Sequence, residues 1–286
     1  MQHDGSQRVA GVVLAYHPDP EIIDNLRALL PQVDEVFVVN NSPDDASREI
    51  LAPVASDPAV TVLDQAGNVG VAAGFNAGMR AALEKGADFV WIFDQDSTVT
   101  EGALNKLLEA HAAAGEAAGI VAPALRSHAT GIVYRRESGD GAREVDVLIS
   151  SGSLFSRRLL DRIGLHDEPL FIDYVDHDIS LRARARGFHN YKVFDALLDH
   201  RFGDSDPVRL FGRPVYLSNY SPMRQFHMAR NRVIVIRRYG FGRWFWEDLG
   251  FTTKAWIKVL LRESDRWTKI RAALRGVREG LRYKDV

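Results

Sequence analysis

Apolar and polar positions alternate in blocks along the first hundred residues. Val9–Ala15 is a short apolar run rich in β-branched residues, followed by the polar stretch His17-Pro18-Asp19-Pro20. This predicts a buried strand and a loop. Glu21–Leu30 carries Ile22, Ile23, Leu26, Leu29 and Leu30 at helical spacing. Glu35–Val39 predicts a second strand, closed by Asn40-Asn41-Ser42-Pro43-Asp44, and Ala46–Leu51 a short helix. Val60–Leu63 predicts a third strand, ending before Gly67-Asn68-Val69-Gly70. Val71–Lys85 predicts a helix with Phe75, Met79, Ala82 and Leu83 on one face. Phe89–Phe93 predicts a fourth strand that runs straight into Asp94-Gln95-Asp96.

Strands alternating with helices through short connections predict an α/β fold, a mostly parallel sheet with helices on both faces. Ligands on such sheets bind beyond the carboxyl ends of the strands. Those ends carry Tyr16/His17, Asn40/Asn41, Asn68/Gly70 and Asp94/Asp96. The second half is less regular. Ile132–Arg136 and Glu144–Ile149 predict a hairpin across a Gly-rich turn, followed by Ser151-Gly152-Ser153. Phe171–Arg186 predicts a helix stopped by Gly187, and Asn190–Phe194 and Leu197–His200 predict short strands. From about Asn219 onward the pattern is helical, with Arg and Lys among Trp, Leu and Ile.

A chain of 286 residues holds one large α/β domain, or one domain with an appendage. The absence of cysteine excludes disulfides, thiolate nucleophiles and Cys-based zinc or iron–sulfur sites. No apolar run reaches the roughly 18 residues of a membrane span. No basic region followed by an apolar core opens the chain, so no signal peptide and a cytoplasmic location are expected. The net charge of −2 is unevenly placed. Residues 222–286 hold 16 Lys+Arg against 6 Asp+Glu, a net of +10, which leaves −12 for residues 1–221. An acidic body with a basic tail suggests two jobs.

Asp94 and Asp96 follow a buried strand at i and i+2, and on an extended segment they point the same way. Their hard oxygens suit Mg²⁺ or Mn²⁺ bound together with substrate phosphates. A solvated turn is the competing reading of the tripeptide by itself. Gly67-Asn68-Val69-Gly70 and Gly74-Phe75-Asn76-Ala77-Gly78 form a Gly/Asn-rich entry into a helix. Such an entry favours an anion, or packs small residues against the sheet. Asp173 and Asp176, three apart on the predicted helix, share a face, and Asp176 beside a cleft suits a general base. Asp178 stands four before Arg182, the spacing of an ordinary ion pair, and His177 sits between the acids. His200 completes a metal site if the fold brings it beside Asp96.

These motifs, in this order from about Val9 to Gly203, resemble the inverting family 2 glycosyltransferases of the GT-A fold, within them the rhamnosyltransferase-like branch. The match rests on Val39-Asn40-Asn41-Ser42, on the two glycine segments, and on Phe93-Asp94-Gln95-Asp96-Ser97. It rests further on the run Leu170 to Asp178 with Leu181-Arg182 and Gly187-Phe188, on Ser151-Gly152-Ser153, and on His200-Arg201-Phe202-Gly203. A basic helical tail with Arg230-Asn231-Arg232 is similar to this branch as well.

The resemblance implies a GT-A catalytic domain over residues 1–215, with a nucleotide-sugar half about 8–100 and an acceptor half about 101–215. A helical basic extension over 216–286 follows. It implies Asp96 and His200 as metal ligands for Mg²⁺ or Mn²⁺, supported by Asp94. Ala15, Tyr16, Asn40, Asn41, Asn68, Gly70, Asn76, Asp94 and Gln95 would line the donor, Ser151, Gly152 and Asp173 the acceptor, and Asp176 would be the catalytic base. The implied donor is dTDP-L-rhamnose, with a UDP-sugar such as a galactofuranosyl donor as the alternative. The implied acceptor is a cell-surface glycan or its lipid-linked precursor.

A nucleotidyltransferase would want a Gly-rich loop with Arg and Lys after the first strand, and Val9–Pro20 contains no Lys. A non-catalytic sugar-binding protein has no need to keep Asp94, Asp96, Asp176 and His200 together. In the tail, Lys254, Lys258 and Arg262 alternate with Trp256, Ile257, Val259, Leu260 and Leu261, just after Trp244-Phe245-Trp246. Two readings stand: residues 241–286 lie on an anionic membrane surface, at the inner face of the plasma membrane, or they form a lid or a homo-oligomer contact. No nucleic-acid motif accompanies the charge, so no nucleic-acid partner is expected.

Overall fold

A computed structural model describes residues 7–127, 133, 137–200, 206–210, 213–217, 219–263 and 265–285. The chain forms two compact units, Met1–Phe171 with Val175–Arg201, and Ile172–Tyr174 with Phe202–Val286.

The first unit opens β1 (Val9–Ala15), α1 (Ile22–Leu29), β2 (Glu35–Asn40), α2 (Asp45–Ala55), β3 (Val60–Asp64), α3 (Gly70–Glu84) and β4 (Phe89–Asp94). It continues through β5 (Ser97–Val99), α4 (Ala103–Ala114), β6 (Ala118–Ser127), β7 (Ala142–Val145), β8 (Ser153–Ser156), α5 (Arg157–Ile163), α6 (Val175–Ala185) and β9 (His189–His200). One sheet has the order β3-β2-β1-β4-β8-β6-β9-β5, with β7 also on β9. The β3-β2-β1-β4 half is parallel. β8 joins β4 antiparallel, and β5 pairs antiparallel with β9.

Period-2 alternation explains the two cores. Val9, Val13 and Ala15 of β1 meet Leu26 of α1, Leu51 of α2 and Leu104 of α4 in one apolar cluster. Ala10, Val12 and Leu14 join Phe75 and Met79 of α3, Leu159 of α5 and Ile179 of α6 in the other. Both faces are therefore covered, as a parallel sheet requires. A Cβ at Gly74 or Gly78 would come 2.5 Å from Leu14 Cδ1 or 2.3 Å from Val12 Cγ1. Two glycines one helical turn apart let α3 lie close on β1 and hold its N-terminal end at the strand tips.

The second unit contains β10 (Asp206–Leu210) paired antiparallel with β11 (Arg213–Leu217), then α7 (Pro222–Tyr239), α8 (Arg243–Arg262) and α9 (Arg266–Arg282). α7 starts on Ser221, whose hydroxyl accepts from Arg224 N, with Pro222 in the first turn.

Three expectations change. The helix expected over Phe171–Arg186 begins at Val175, because Phe171, Asp173 and Tyr174 have φ of 63°, 61° and 63°. That left-handed backbone cannot continue an α-helix. The two short strands are one, β9, with a register shift that passes from Pro123↔Val193 to Ala124↔Leu197. The expected hairpin is described in one arm only: β7 covers Ala142–Val145 and pairs with β9. Of its other arm only Val133 is described, bridged to Arg126. Gln95-Asp96 is a turn between β4 and β5 rather than extended chain.

Candidate active site at the carboxyl ends of the strands

Asp94 ends β4, and the turn after it sends the chain into β5. β5 pairs with β9 so that Ser97 stands opposite His200. One ligand atom from each of Asp94, Asp96 and His200 then lies within 4.8 Å of the others. Asp96 Oδ1 is 3.5 Å from His200 Nδ1. It is buried and accepts no hydrogen bond among the described residues. Burial pushes the Asp96 carboxyl up, with the His200 charge opposing; burial pushes the His200 imidazole down, with Asp96 opposing. An orphaned buried carboxylate oxygen is costly unless a cation meets it. Two carboxylates and one imidazole fit a hard or borderline divalent ion.

Gln95 ties this turn to β1. Its side-chain oxygen accepts from Tyr16 N at 2.7 Å, and its amide nitrogen donates to Tyr16 O at 3.1 Å. Its carbonyl accepts from Asn25 Nδ2 at 2.8 Å, while Asn25 Oδ1 accepts from the Thr98 hydroxyl. Ser151 supports the turn from behind, accepting from Asp94 N at 3.1 Å and donating to Ser97 Oγ at 2.7 Å. Gly152 O accepts from Trp91 Nε1 at 2.8 Å. Gly152 N donates to Ile92 O at 2.8 Å. Ser151 and Gly152, expected at the acceptor, brace the turn after Asp94 and link the start of β8 to β4.

At the β1 and β2 tips, Asn41 N donates to Ala15 O at 2.7 Å. Asn40 is fully buried and donates to Asp64 Oδ1 at 2.8 Å. Asn41 Oδ1 accepts from Val69 N at 2.9 Å, and its amide donates to Asn68 Oδ1 at 3.2 Å and Gly70 O at 3.4 Å. Asn41 therefore shapes the glycine loop, and Asn40 ties the tip of β2 to that of β3. The Tyr16 ring, 45% exposed, faces solvent beside them.

The start of α3 is not open to an anion. Gly70 N donates to Asn68 Oδ1 at 2.9 Å, and Val71 N and Ala72 N donate to Phe171 O at 2.6 and 3.3 Å. Gly70 has φ of 87°, and a Cβ there would come 2.4 Å from the Phe171 ring. The helix N-terminus is capped by a carbonyl of its own chain, which corrects the anion-binding reading. Asn76 is 1% exposed. Its amide donates to His166 O and Glu168 Oε1, each at 2.9 Å, and its oxygen accepts from His166 N at 2.9 Å. This network fixes residues 166–168 and uses both side-chain amide hydrogens of Asn76.

Asp176 lies in the first turn of α6. Its Oδ1 accepts from His177 N at 2.8 Å and stands 3.0 Å from His177 Nδ1. Burial pushes the carboxyl up, but the His177 charge and hydrogen bonds outweigh it and hold the carboxyl below its ordinary value. Asp178 and Arg182 form the expected ion pair at 2.6 Å.

In the second unit, Asp173 accepts from Arg224 Nε at 3.1 Å and Nη2 at 2.9 Å. Asn231, fully buried, donates to Ile172 O at 2.8 Å and Asp173 O at 2.9 Å. Arg232 Nε donates to Tyr174 OH at 2.6 Å and Asp248 Oδ2 at 2.9 Å. Asn231 and Arg232 thus grip the segment 172–174. Asp173 is not on a helix face with Asp176; it belongs to this grip. Arg201, Phe202 and Gly203 lie outside the described residues. Asn25, Ser97 and Asp64 were not foreseen; the one available signal was the position of Ser97 beside the acidic pair.

Residues 12–168, more than half of the chain, match the model for glycosyl transferase family 2. The chain belongs to this family. The dTDP-rhamnosyl transferase RfbF of Shigella flexneri is 29% identical over 251 residues, 82% of this chain and 81% of the relative. The galactofuranosyltransferase GlfT1 of Mycobacterium tuberculosis (strain CDC 1551 / Oshkosh) is 27% identical over 304 aligned positions, 96% of this chain and 97% of the relative.

Two solved structures share the fold of this family 2 glycosyltransferase. S. aureus TarS 1-349 in complex with UDP-GlcNAc has a TM-score of 0.65 at 15% identity, covering 95% of this chain and 82% of that one. The mannosyltransferase PcManGT from Pyrobaculum calidifontis, in complex with GDP-Man and Mn²⁺, has a TM-score of 0.56 at 17% identity, covering 98% and 76%. The α/β, mostly parallel GT-A-like sheet with C-terminal helices is the fold expected from the sequence.

Proposed function

We propose that this glycosyltransferase moves a sugar, L-rhamnose from dTDP-L-rhamnose, onto a hydroxyl of a cell-surface glycan or its lipid-linked precursor, with inversion. One observation carries the reading: Asp94, Asp96 and His200 converge at the carboxyl end of β4, with Asp96 Oδ1 buried and without a hydrogen-bond partner among the described residues. Asp96 and His200, with Asp94 in support, would hold Mg²⁺ or Mn²⁺, which would supply Lewis-acid stabilisation of charge on the departing diphosphate. The Mn²⁺ of the related mannosyltransferase complex supports that choice of metal. Asn40, Asn41 and Asn68 shape the nucleotide end, and the exposed ring of Tyr16 meets the nucleotide.

Asp176 takes the proton of the acceptor hydroxyl as that oxygen bonds to the anomeric carbon. The bond from that carbon to the diphosphate oxygen breaks on the opposite face. A single displacement inverts the configuration and needs no protein nucleophile. Because His177 holds Asp176 ionised, the carboxylate is ready to accept a proton, and its contribution is chiefly position. In this reading residues 8–100 hold the nucleotide sugar, 101–215 the acceptor, and 216–286 form the extension.

The likeness to RfbF supports rhamnose. The likeness to GlfT1, across 97% of that relative, supports a second reading with a galactofuranosyl UDP-sugar. A panel of nucleotide sugars tested by thermal shift with Mg²⁺ or Mn²⁺ separates them. A shift with dTDP-L-rhamnose supports the first reading; shifts with UDP-sugars and none with dTDP-L-rhamnose overturn it.

A further inference from the structure

α8 and α9 each show an apolar strip on the side turned away from their own packing. At 100° per residue, Trp244, Thr252 and Val259 share the buried side of α8. Trp246, Leu249, Ile257 and Leu260 fall on the opposite side and are exposed, Trp246 by 64%. Lys254 stands at one edge of that strip, and Lys258 and Arg262, each a further turn along, wind away from it towards the buried side. α9 buries Ala272, Gly276 and Gly280. A Cβ at Gly276 or Gly280 would come 2.3 Å from Phe226 O or 2.6 Å from Arg230 O, so this side lies on the backbone of α7. Trp267, Leu274 and Leu281 lie opposite, exposed by 65%, 65% and 63%. Arg271, Arg275, Arg278 and Arg282 flank them.

Apolar surface on this scale marks a contact. Charge selects the occupant. α9 carries six Lys+Arg and one Glu. A second copy on the same faces would set one arginine ridge against another, which costs affinity. An anionic bilayer instead offers a phosphate to each cation and a hydrocarbon boundary to each Trp and Leu. No helix among the described residues is long and apolar enough to cross a membrane; these two have the composition of helices that lie in the interface.

We infer that the outer faces of α8 and α9 seat on an anionic phospholipid surface, with Trp246 and Trp267 in the headgroup boundary and the flanking Lys and Arg on lipid phosphates. This rests on the lipid-linked acceptor reading only for its purpose. Vesicle binding needs neither donor nor acceptor, so either proposal can fail alone.

The full chain is sedimented with phosphatidylcholine vesicles, with and without phosphatidylglycerol. It pellets with the anionic vesicles, about tenfold or more weaker with neutral ones, and less in high salt. Trp246→Glu and Trp267→Glu each weaken binding about tenfold. Arg275→Gln and Arg278→Gln each weaken it about fivefold. All four positions are exposed, and circular dichroism checks that each variant stays folded. Equal binding by folded variants, or no binding to either vesicle, overturns the inference. A dimer in sedimentation velocity that the tryptophan variants dissolve also overturns it, and gives the faces to a second copy.

Discussion

Ser97 and His200 are register partners across β5 and β9, and the Ser97 hydroxyl lies 2.8 Å from His200 Nδ1. The same hydroxyl accepts from Ser151, which in turn accepts from Asp94 N. Two serines therefore connect two of the three candidate metal ligands. Partners behind a ligand fix the ring orientation and tune affinity.

Ser97→Ala is expected to weaken Mn²⁺ binding about 10- to 100-fold with little change in melting temperature. Isothermal titration of Mn²⁺ reads this. Unchanged affinity would remove the serine pair from the account.

Asp176→Asn should keep donor affinity and lower transfer by about 10²- to 10⁴-fold. Since His177 keeps the Asp176 carboxyl below its ordinary value of 3.8, loss of its proton-accepting form belongs to still more acid pH. The rate between pH 7 and 5 should show no limb that Asp176→Asn removes. Transfer retained in the variant would exclude Asp176 as base.

His166 lies between Phe75 and Phe155, and neither ring nitrogen has a hydrogen-bond partner among the described residues. Burial, reinforced by the Arg182 charge, pushes its pKa down to about 4 from 6.5. The folded state resists protonation more than the unfolded state does. This contribution to stability is complete above about pH 6.5 and is lost as pH falls towards 4, by about 3 kcal/mol. Urea unfolding across that range should be steeper in pH for the parent chain than for His166→Leu. Parallel profiles would show that His166 does not titrate as described.

Gly70→Ala forces a Cβ into the Phe171 ring at φ of 87°. A destabilisation of about 1–3 kcal/mol is expected, read by urea unfolding. Part of it should return when Phe171→Ala is added, which clears the ring but not the carbonyl. No cost in the single variant would mean that residues 70 and 171 separate easily.

The parallel half of the sheet was legible because each strand is a short apolar run with a polar tip, and α3 has an apolar face. The acidic pair was legible by its place after β4. What local pattern does not carry is pairing between distant segments. Ser97 meets His200 only because β5 adds to the far edge of the sheet, beside β9. Asn76 and Gly70 read as ligand groups because Asn and Gly suit both loops and ligands; here one holds residues 166–168 and the other admits Phe171. Asp173 fits a helical spacing, but Asn231 and Arg224 hold its backbone and carboxylate in a left-handed turn. Tertiary hydrogen bonds decided that segment over its local propensity.

In the proposed mechanism Asp96 anchors a cation that the nucleotide sugar shares. Mn²⁺ binding followed by electron paramagnetic resonance, with and without dTDP-L-rhamnose, tests it in the parent chain and in Asp96→Ala. Mn²⁺ binding should tighten with donor and be lost in Asp96→Ala. Mn²⁺ binding indifferent to both the donor and the substitution would contradict it.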